Sequence, residues 1–579
     1  MPDDREFRVR PGRIRSTQTQ SARPFIAQAL AAAQKAGGTV SRSGAIGTGG
    51  RSRFGRGRVA SVQANHLLTG RARVVVIKTR VVRQTGRGAP LAAHLGYLRR
   101  EGVTRAGEKA RLFGPGTEDA DPRAFAERCA GDRHHFRFIV SPEDATEMAD
   151  LRGFTRELVG RMEADLGSRL DWVAVDHWNT DNPHVHLLVR GRADDGQDLV
   201  ISRDYIREGM RARARDLVTL ALGPRTDQDI HRTLERQVEA ERWTDLDRQL
   251  VRDGRPNGIV DMAPEPGRQP DALHVLKVGR LRKLEALGLA DPVGPGQWVI
   301  DDGAEAMLRE LGERGDIIKR MHRALTAHGL ERGTAGYVLA AEALEAPVLG
   351  RLVDRGLDDE LKGSAYAVID GIDGRTHHVR LPDLDAAGDG APGAIVELRR
   401  FEDVRGQPRV ALAVRSDLDL AAQVTAPGAT WLDRQALARE PAVLAEGGFG
   451  AEVRDALDRR AAHLVGEGLA ERQGRRVVFA RNLIETLRRR EVEAAGEQLA
   501  AGGGQPFQRA AAGEHVAGVY RQRLVLASGR FAMIDDGMGF RLVPWTPALE
   551  PKRGHHVAGI ARGDGGVDWS FGRKRGLGL

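Results

Sequence analysis

The sequence predicts an α+β chain assembled from several modules. Alternating β-branched strands and helical stretches fill the part up to about residue 250, the 579-residue length exceeds what one hydrophobic core can serve, and the remainder repeats itself once. Residues 1–67 are rich in Arg, Gly, Ser and Gln without a sustained apolar period, apart from the helix-like FIAQALAAAQ (Phe25 to Gln34), and are expected to be mostly disordered. Order begins at RARVVVIKTRVVR (Arg71 to Arg83), a strand with basic residues interleaved. LAAHLGYLRREG (Leu91 to Gly102) has helical period and stops at a glycine. HHFRFIVS (His134 to Ser141) reads as a strand and Pro142 to about Leu166 as a helix. LDWVAVDHW and PHVHLLVRG then read as two strands joined by the four residues NTDN.

Past about Leu250 the pattern changes to Pro/Gly-punctuated helices and short strands. LEALGLADPVGPGQWVIDDGAEAMLREL (Leu284 to Leu311) is similar to HLVGEGLAERQGRRVVFARNLIETLRRR (His463 to Arg490): helix, corner, two-stranded wing, helix. Further on, AYAVIDGIDGRTHHVRLP (Ala365 to Pro382) matches RFAMIDDGMGFRLVP (Arg530 to Pro544). The expected organisation is a basic arm at 1–67, a sheet domain at 68–250, winged-helix-like modules at 251–325 and 421–500, and small β modules at 326–420 and 501–579.

Composition narrows the function classes. Cys129 is the only cysteine, which excludes a disulfide framework and a cysteine-built zinc site and points to a reducing compartment. No apolar run approaches 18 residues and the N-terminal stretch lacks an apolar signal core, so neither a membrane span nor a secretory signal is expected. Residues 1–100 hold 20 Lys+Arg against 3 Asp+Glu, although the whole chain carries only +9. A surplus concentrated at one end suits a polyanion partner; a solvated basic tail is the alternative.

Three of the 17 histidines crowd into DHWNTDNPHVH. Alternate residues of a strand share a face, so His184 and His186 point the same way, and a hairpin closing symmetrically about NTDN sets His177 opposite His184 on that face. Three neutral imidazoles converging in this way can hold one divalent cation and leave coordination positions for water or a phosphate oxygen. Val185, Leu187, Val189, Trp172 and Ala174 take the other face, which is core. Asp176 shares the core parity and is discounted as a ligand, and Asp181 reads as a turn-former.

Tyr97, one of five tyrosines, lies on a predicted helix with Arg99 and Arg100 immediately after it. Packing is the alternative role; beside a metal-polarised phosphate a phenol can act as a nucleophile, with the arginines on adjoining phosphates. His94, on the same helical side, is a candidate proton acceptor or rival nucleophile. On HHFRFIVS the alternation places His135 and Arg137 opposite Phe136 and Phe138, where they orient a ligand imidazole, bind DNA or simply face solvent. His135 is a second candidate proton acceptor. Arg80 and Arg83 in the first strand are further candidates for DNA binding.

Taken together, a tyrosine in YLRREG, a strand ending near VSPED and the His-x6-His-x-His cluster HWNTDNPHVH resemble the relaxases of conjugative and mobilisation systems in the HUH endonuclease superfamily. Within it the border-nicking relaxases of plant-tumour plasmids are similar. The resemblance covers about residues 70–250, and the C-terminal part is similar to the extension of one bacterial subgroup. The tyrosine motif precedes the histidine motif, as in relaxases and unlike rolling-circle initiators and related transposases. The resemblance implies an antiparallel HUH sheet with helices on one face and the site on the other. It implies Mg2+ or Mn2+ on His177, His184 and His186, and attack by Tyr97 on one DNA strand at an origin of transfer, giving a 5′-phosphotyrosyl link that can be religated. It implies single-stranded DNA, accessory relaxosome proteins and a type IV coupling protein as partners. A bacterial cytoplasmic location follows, with passage to a recipient cell alongside the DNA, and GRKRGLGL at the C-terminus is a candidate secretion signal. One departure is that about 70 basic residues precede the motifs, whereas the family tyrosine usually lies near the N-terminus.

Other readings remain open: a replication initiator or transposase with the same metal chemistry, a non-catalytic winged-helix regulator with a vestigial histidine site, and a metal-dependent phosphoesterase of small molecules. The downstream modules, whose overall charge is not conspicuously basic, suit duplex DNA and partner proteins equally.

Overall fold

The computed structural model describes Thr39–Val40 and Ile46–Gly47, which pair as a two-residue ladder, and residues 72–571 apart from 84–90, 100–103, 106–107, 179–181, 257, 264–270, 340–346, 403–405, 475, 504 and 564. The expected helix at Phe25 to Gln34, the turn residues NTD and the C-terminal GRKRGLGL lie outside the described residues. The chain divides into two compact units, 1–236 and 237–579, and is mixed α+β with several antiparallel sheets. Among the described residues no helix is long and apolar enough to cross a membrane.

The first unit is built on four antiparallel strands: β1 (Val75–Arg83), β2 (His134–Pro142), β3 (Trp172–His177) and β4 (His184–Arg190), in the order β1-β2-β4-β3. Its helices are α1 (Leu91–Leu98), α2 (Pro122–Cys129), α3 (Leu151–Leu166) and α4 (Met210–Leu222). Strand alternation explains one face directly. Val75, Ile77, Phe136, Phe138, Val140, Trp172, Ala174, Val185, Leu187 and Val189 all point to it, and they are covered by Phe154, Leu158, Met162, Leu217 and Val218 of α3 and α4. At about 1.5–3 kcal/mol for each fully buried side chain of this kind, that layer is the main source of stability. α3 starts only at Leu151, where the Asp150 carboxylate accepts from the Arg152 and Gly153 amides, and it ends at Gly167 in the left-handed region, with φ 62°. The helix expected from Pro142 is therefore shorter, with a single 3-10 turn at Ala145–Glu147 before it. Arg73 ties the strand side to α4 by donating to the Leu222 and Gly223 carbonyls at the helix end.

The expectation of helices on one face needs correction. α1 and α2 pack on the opposite face, where Leu91, Leu95, Leu98, Phe125 and Cys129 bury against Val173, Val175 and Leu188. The strands next to the hairpin are apolar on both faces and require cover on both.

The second unit contains two copies of one arrangement. In the first copy a helix (Asp245–Gly254) capped by Thr244 precedes a helix (Ala272–Ala286), a hairpin (Ala290–Gly294 with Gln297–Ile300) and a long helix (Ala304–Ala327). In the second, Trp431–Ala436 capped by Thr430, Gly448–Gly466, the hairpin Ala470–Gln473 with Arg476–Phe479, and Leu483–Gly503 follow in the same order. Each copy then runs into a sheet with one strand order, a long central strand (Leu349–Asp359, or His515–Leu526) flanked by two strands on each side, to which the first sheet adds Tyr337–Val338 as a sixth strand at one edge. Both central strands bulge two residues after a glycine, Gly350 or Gly518, where a Cβ would collide with the carbonyl of Asp370 or Asp535.

The inner anchor of each copy is a buried Arg–Asp pair. Arg280 gives all five of its N–H donors to Asp247 and to the carbonyls of Val238, Ala240 and Arg242; Arg460 does the same with Asp433, Val424, Ala426 and Gly428. These contacts explain why the boundary between units falls at 236/237 rather than at 250/251. Asp247 and the helix it begins belong to the fold of Arg280.

Candidate metal centre

The site lies on the face of the sheet that α1 and α2 only partly cover. His177 and His184 are register partners across β3 and β4, and Val175 pairs with His186, so the three imidazoles share one face at the open end of the hairpin. All three are buried. Ring centroids stand 5.5 Å apart for His177 and His184, 4.5 Å for His177 and His186, and 4.9 Å for His184 and His186. One ligand nitrogen from each lies within 4.8 Å of the others.

Backbone carbonyls aim the rings. His177 Nε2 is 2.8 Å from the Leu98 carbonyl at the end of α1, and His184 Nδ1 is 2.9 Å from the Asn182 carbonyl. A nitrogen that donates to a carbonyl carries the proton, which leaves the lone pair on His177 Nδ1 and on His184 Nε2. His184 Nε2 in turn faces His186 Nε2 at 3.1 Å. Neighbouring nitrogen ligands on a cation held at about 2.1 Å stand roughly 3 Å apart, so this donor set fits a divalent cation.

The same Leu98 carbonyl brings α1 to the trio. His94 on that helix is buried, while Tyr97, one residue before the carbonyl, is half-buried against the Val173, Val175 and Leu188 cluster. Arg99 follows directly, half-buried, and its Nε has no hydrogen-bond partner among the described residues. Arg100 lies outside the described residues.

Across the sheet from the trio runs a row of cations. Ile139 is the register partner of His186; one alternation further along β2, Arg137 sits opposite Leu188 of β4 and Arg80 of β1. Burial, then the charge of Arg80, pulls the Arg137 guanidinium down to about 10. Neither arginine has a carboxylate within ion-pair distance among the described residues, and the same holds for Lys78, the partner of Ile139 on β1. Lys78 was legible two residues before Arg80, on the same face, but was not singled out. Arg83 has the opposite parity to Arg80 and pairs with His134 at the strand end, so it does not join this row.

His135 does not join the trio either. It lies four residues along β2 from Ile139, roughly 13 Å at the usual strand rise. Its Nε2 accepts from Arg137 Nε at 3.1 Å. Burial first, then Arg137 and His134, depress its pKa to about 4. A group held so weakly basic and already engaged is a poor proton acceptor for chemistry at the hairpin.

Asp176 supports the site from the core-facing side. One carboxylate oxygen accepts from Arg152 Nε at 3.0 Å and the other from Trp178 Nε1 at 2.7 Å, and the Arg105 guanidinium stacks 4.1 Å from the Trp178 ring centre. The indole just past His177 is thereby fixed. The spacing of Asp176 and Trp178 about His177 was the available signal for this brace.

Residues 277–407 and 397–578, together more than half of the chain, match the family described as protein of unknown function (DUF3363). The chain belongs to that family. No curated protein and no solved structure matches it. The DUF3363 segments fall within the duplicated second unit, and the histidine trio precedes them in the chain.

Proposed function

We propose that this DUF3363 protein is a metal-dependent single-strand DNA nickase of the relaxase kind, acting at an origin of transfer. The observation that carries the reading is the convergence of three imidazoles, two of them aimed by backbone carbonyls, beside the end of the helix that bears Tyr97. His177, His184 and His186 would hold Mg2+ or Mn2+, which supplies polarisation of a phosphate and offsets charge as it develops. Tyr97 attacks phosphorus: the Oη–P bond forms, the P–O3′ bond breaks, His94 takes the phenolic proton and a water molecule gives a proton to the departing 3′-oxygen. The products are a free 3′-hydroxyl and a 5′-phosphotyrosyl link, and the reverse step reseals the strand. Arg137, Arg80 and Lys78 neutralise neighbouring phosphates of a single strand crossing the sheet. Arg99, at the end of α1, lies next to the nucleophile for the same purpose. Accessory DNA-binding proteins and a type IV coupling protein are the partners this reading calls for, in a bacterial cytoplasm.

The test uses full-length protein, a randomised pool of labelled single-stranded oligonucleotides and Mn2+. The expected result is an adduct that survives denaturation and disappears in Tyr97→Phe and in His186→Ala. An adduct that persists in Tyr97→Phe would transfer the role to another nucleophile. No adduct on any member of the pool would favour a non-catalytic DNA-binding protein.

A further inference from the structure

The two copies in the second unit share a skeleton but not a charge. In the first, the hairpin and its exit, ADPVGPGQWVIDD (Ala290 to Asp302), carry three carboxylates and no base; in the second, AERQGRRVVFARN (Ala470 to Asn482) carries four arginines and one carboxylate. The helix that follows repeats the contrast, with Arg309, Glu310 and Leu311 in one copy where the other has Arg488, Arg489 and Arg490. The edges differ as well. Gln297 and Trp298 of the first hairpin pair with Asp261 and Val260, whereas Arg476–Phe479 pairs only with Ala470–Gln473 among the described residues.

Arg472, Arg476, Arg481 and Arg490 are exposed, and among the described residues no carboxylate lies within ion-pair distance of any of them. A cluster of like charges with no internal counter-charge raises the free energy of the folded chain, and an external polyanion removes that penalty. The register shows which polyanion fits. Arg472 pairs with Val477 and Gln473 with Arg476, so the two arginines point to opposite faces of the ribbon. A flat anionic surface such as a membrane engages only one face. A groove of duplex DNA presents a phosphodiester wall on each side, and the major groove, about 12 Å wide, admits a two-stranded ribbon.

We propose that the second hairpin, with Arg481 at its exit, is a duplex-DNA contact that reads the phosphate backbone, and that the first hairpin has no such role. The test measures binding of full-length protein to a labelled duplex of arbitrary sequence as salt is varied, comparing wild type with the triple variant Arg472→Ala/Arg476→Ala/Arg481→Ala. Since each neutralised phosphate contributes about −0.9 to the slope of log K against log salt, the variant should flatten the slope by about 2–3 and weaken binding roughly 10- to 100-fold. Asp291→Ala in the first hairpin should change neither quantity, and Tyr97→Phe should leave duplex binding intact, which separates this outcome from the nicking reaction. These side chains are exposed, so an unchanged melting temperature verifies folding. Affinity and slope equal to wild type would overturn the proposal, as would a loss confined to vesicles containing phosphatidylserine.

Discussion

Arg280 and His186 are both polar and buried, one in each unit, yet their surroundings differ in kind. Around Arg280 every donor meets an acceptor of the same chain, and Asp247 balances its charge. Around His186 an imidazole nitrogen faces another imidazole nitrogen at 3.1 Å, while the outer nitrogens of His177 and His184 are tied to carbonyls. The first is a joint closed by its own atoms. In the second, three ring nitrogens are gathered at a spacing that a cation can bridge. His135 is a third case, an imidazole kept neutral first by burial and then by its arginine neighbour, and required by nothing at the hairpin.

The largest effect is expected at the closed joint. Asp247→Ala strands a buried guanidinium and should cost about 3–5 kcal/mol in denaturant unfolding, whereas Asp247→Leu with Arg280→Met should restore most of that loss. Metal binding at the first unit should be untouched by either change. Acid comes next. His135, and His378 in the second unit, each have a folded pKa of about 4 against an ordinary 6.5, burial being the main cause in both. Between those values the unfolded chain binds the extra proton, so the stability present above pH 6.5 falls as pH drops toward 4, by up to about 3 kcal/mol per histidine. Melting temperature against pH in His135→Gln should show a shallower acid limb.

Mn2+ at a hundredfold excess over its dissociation constant should stabilise the first unit by about 2.7 kcal/mol, and His186→Ala should abolish that gain while changing the metal-free melting temperature little. A large metal-free loss in His186→Ala would instead make the trio a structural joint like Arg280. The smallest effect is expected at the brace: Trp178→Phe deletes the bond to Asp176 and should cost about 1 kcal/mol.

Much of the candidate site was legible because a strand has a strict period of two. Once NTDN is taken as the turn, His177, His184 and His186 have only one face to share, and the observed register is that one. The cover on that face was harder to foresee, although Val173, Val175 and Leu188 lie on the same parity as the histidines and imply an apolar partner. A short apolar stretch such as LAAHLGYL does not say which surface it will meet. The repeat was visible in its hairpins and missed at its beginning, where QVEAERWTDLDR (Gln237 to Arg248) matches QVTAPGATWLDR (Gln423 to Arg434). Those residues look unremarkable until Arg280 and Arg460, some thirty positions later, draw their carbonyls and carboxylates together.

Arg530 of the second copy clamps Asp417 and Asp389 of the first, and Arg523 of the second copy also donates to Asp389. The later copy thus supplies the counter-charges for carboxylates of the earlier one. Removing either would strand a charge in the survivor, Arg530 on one side or Asp417 on the other, so neither copy is complete by itself.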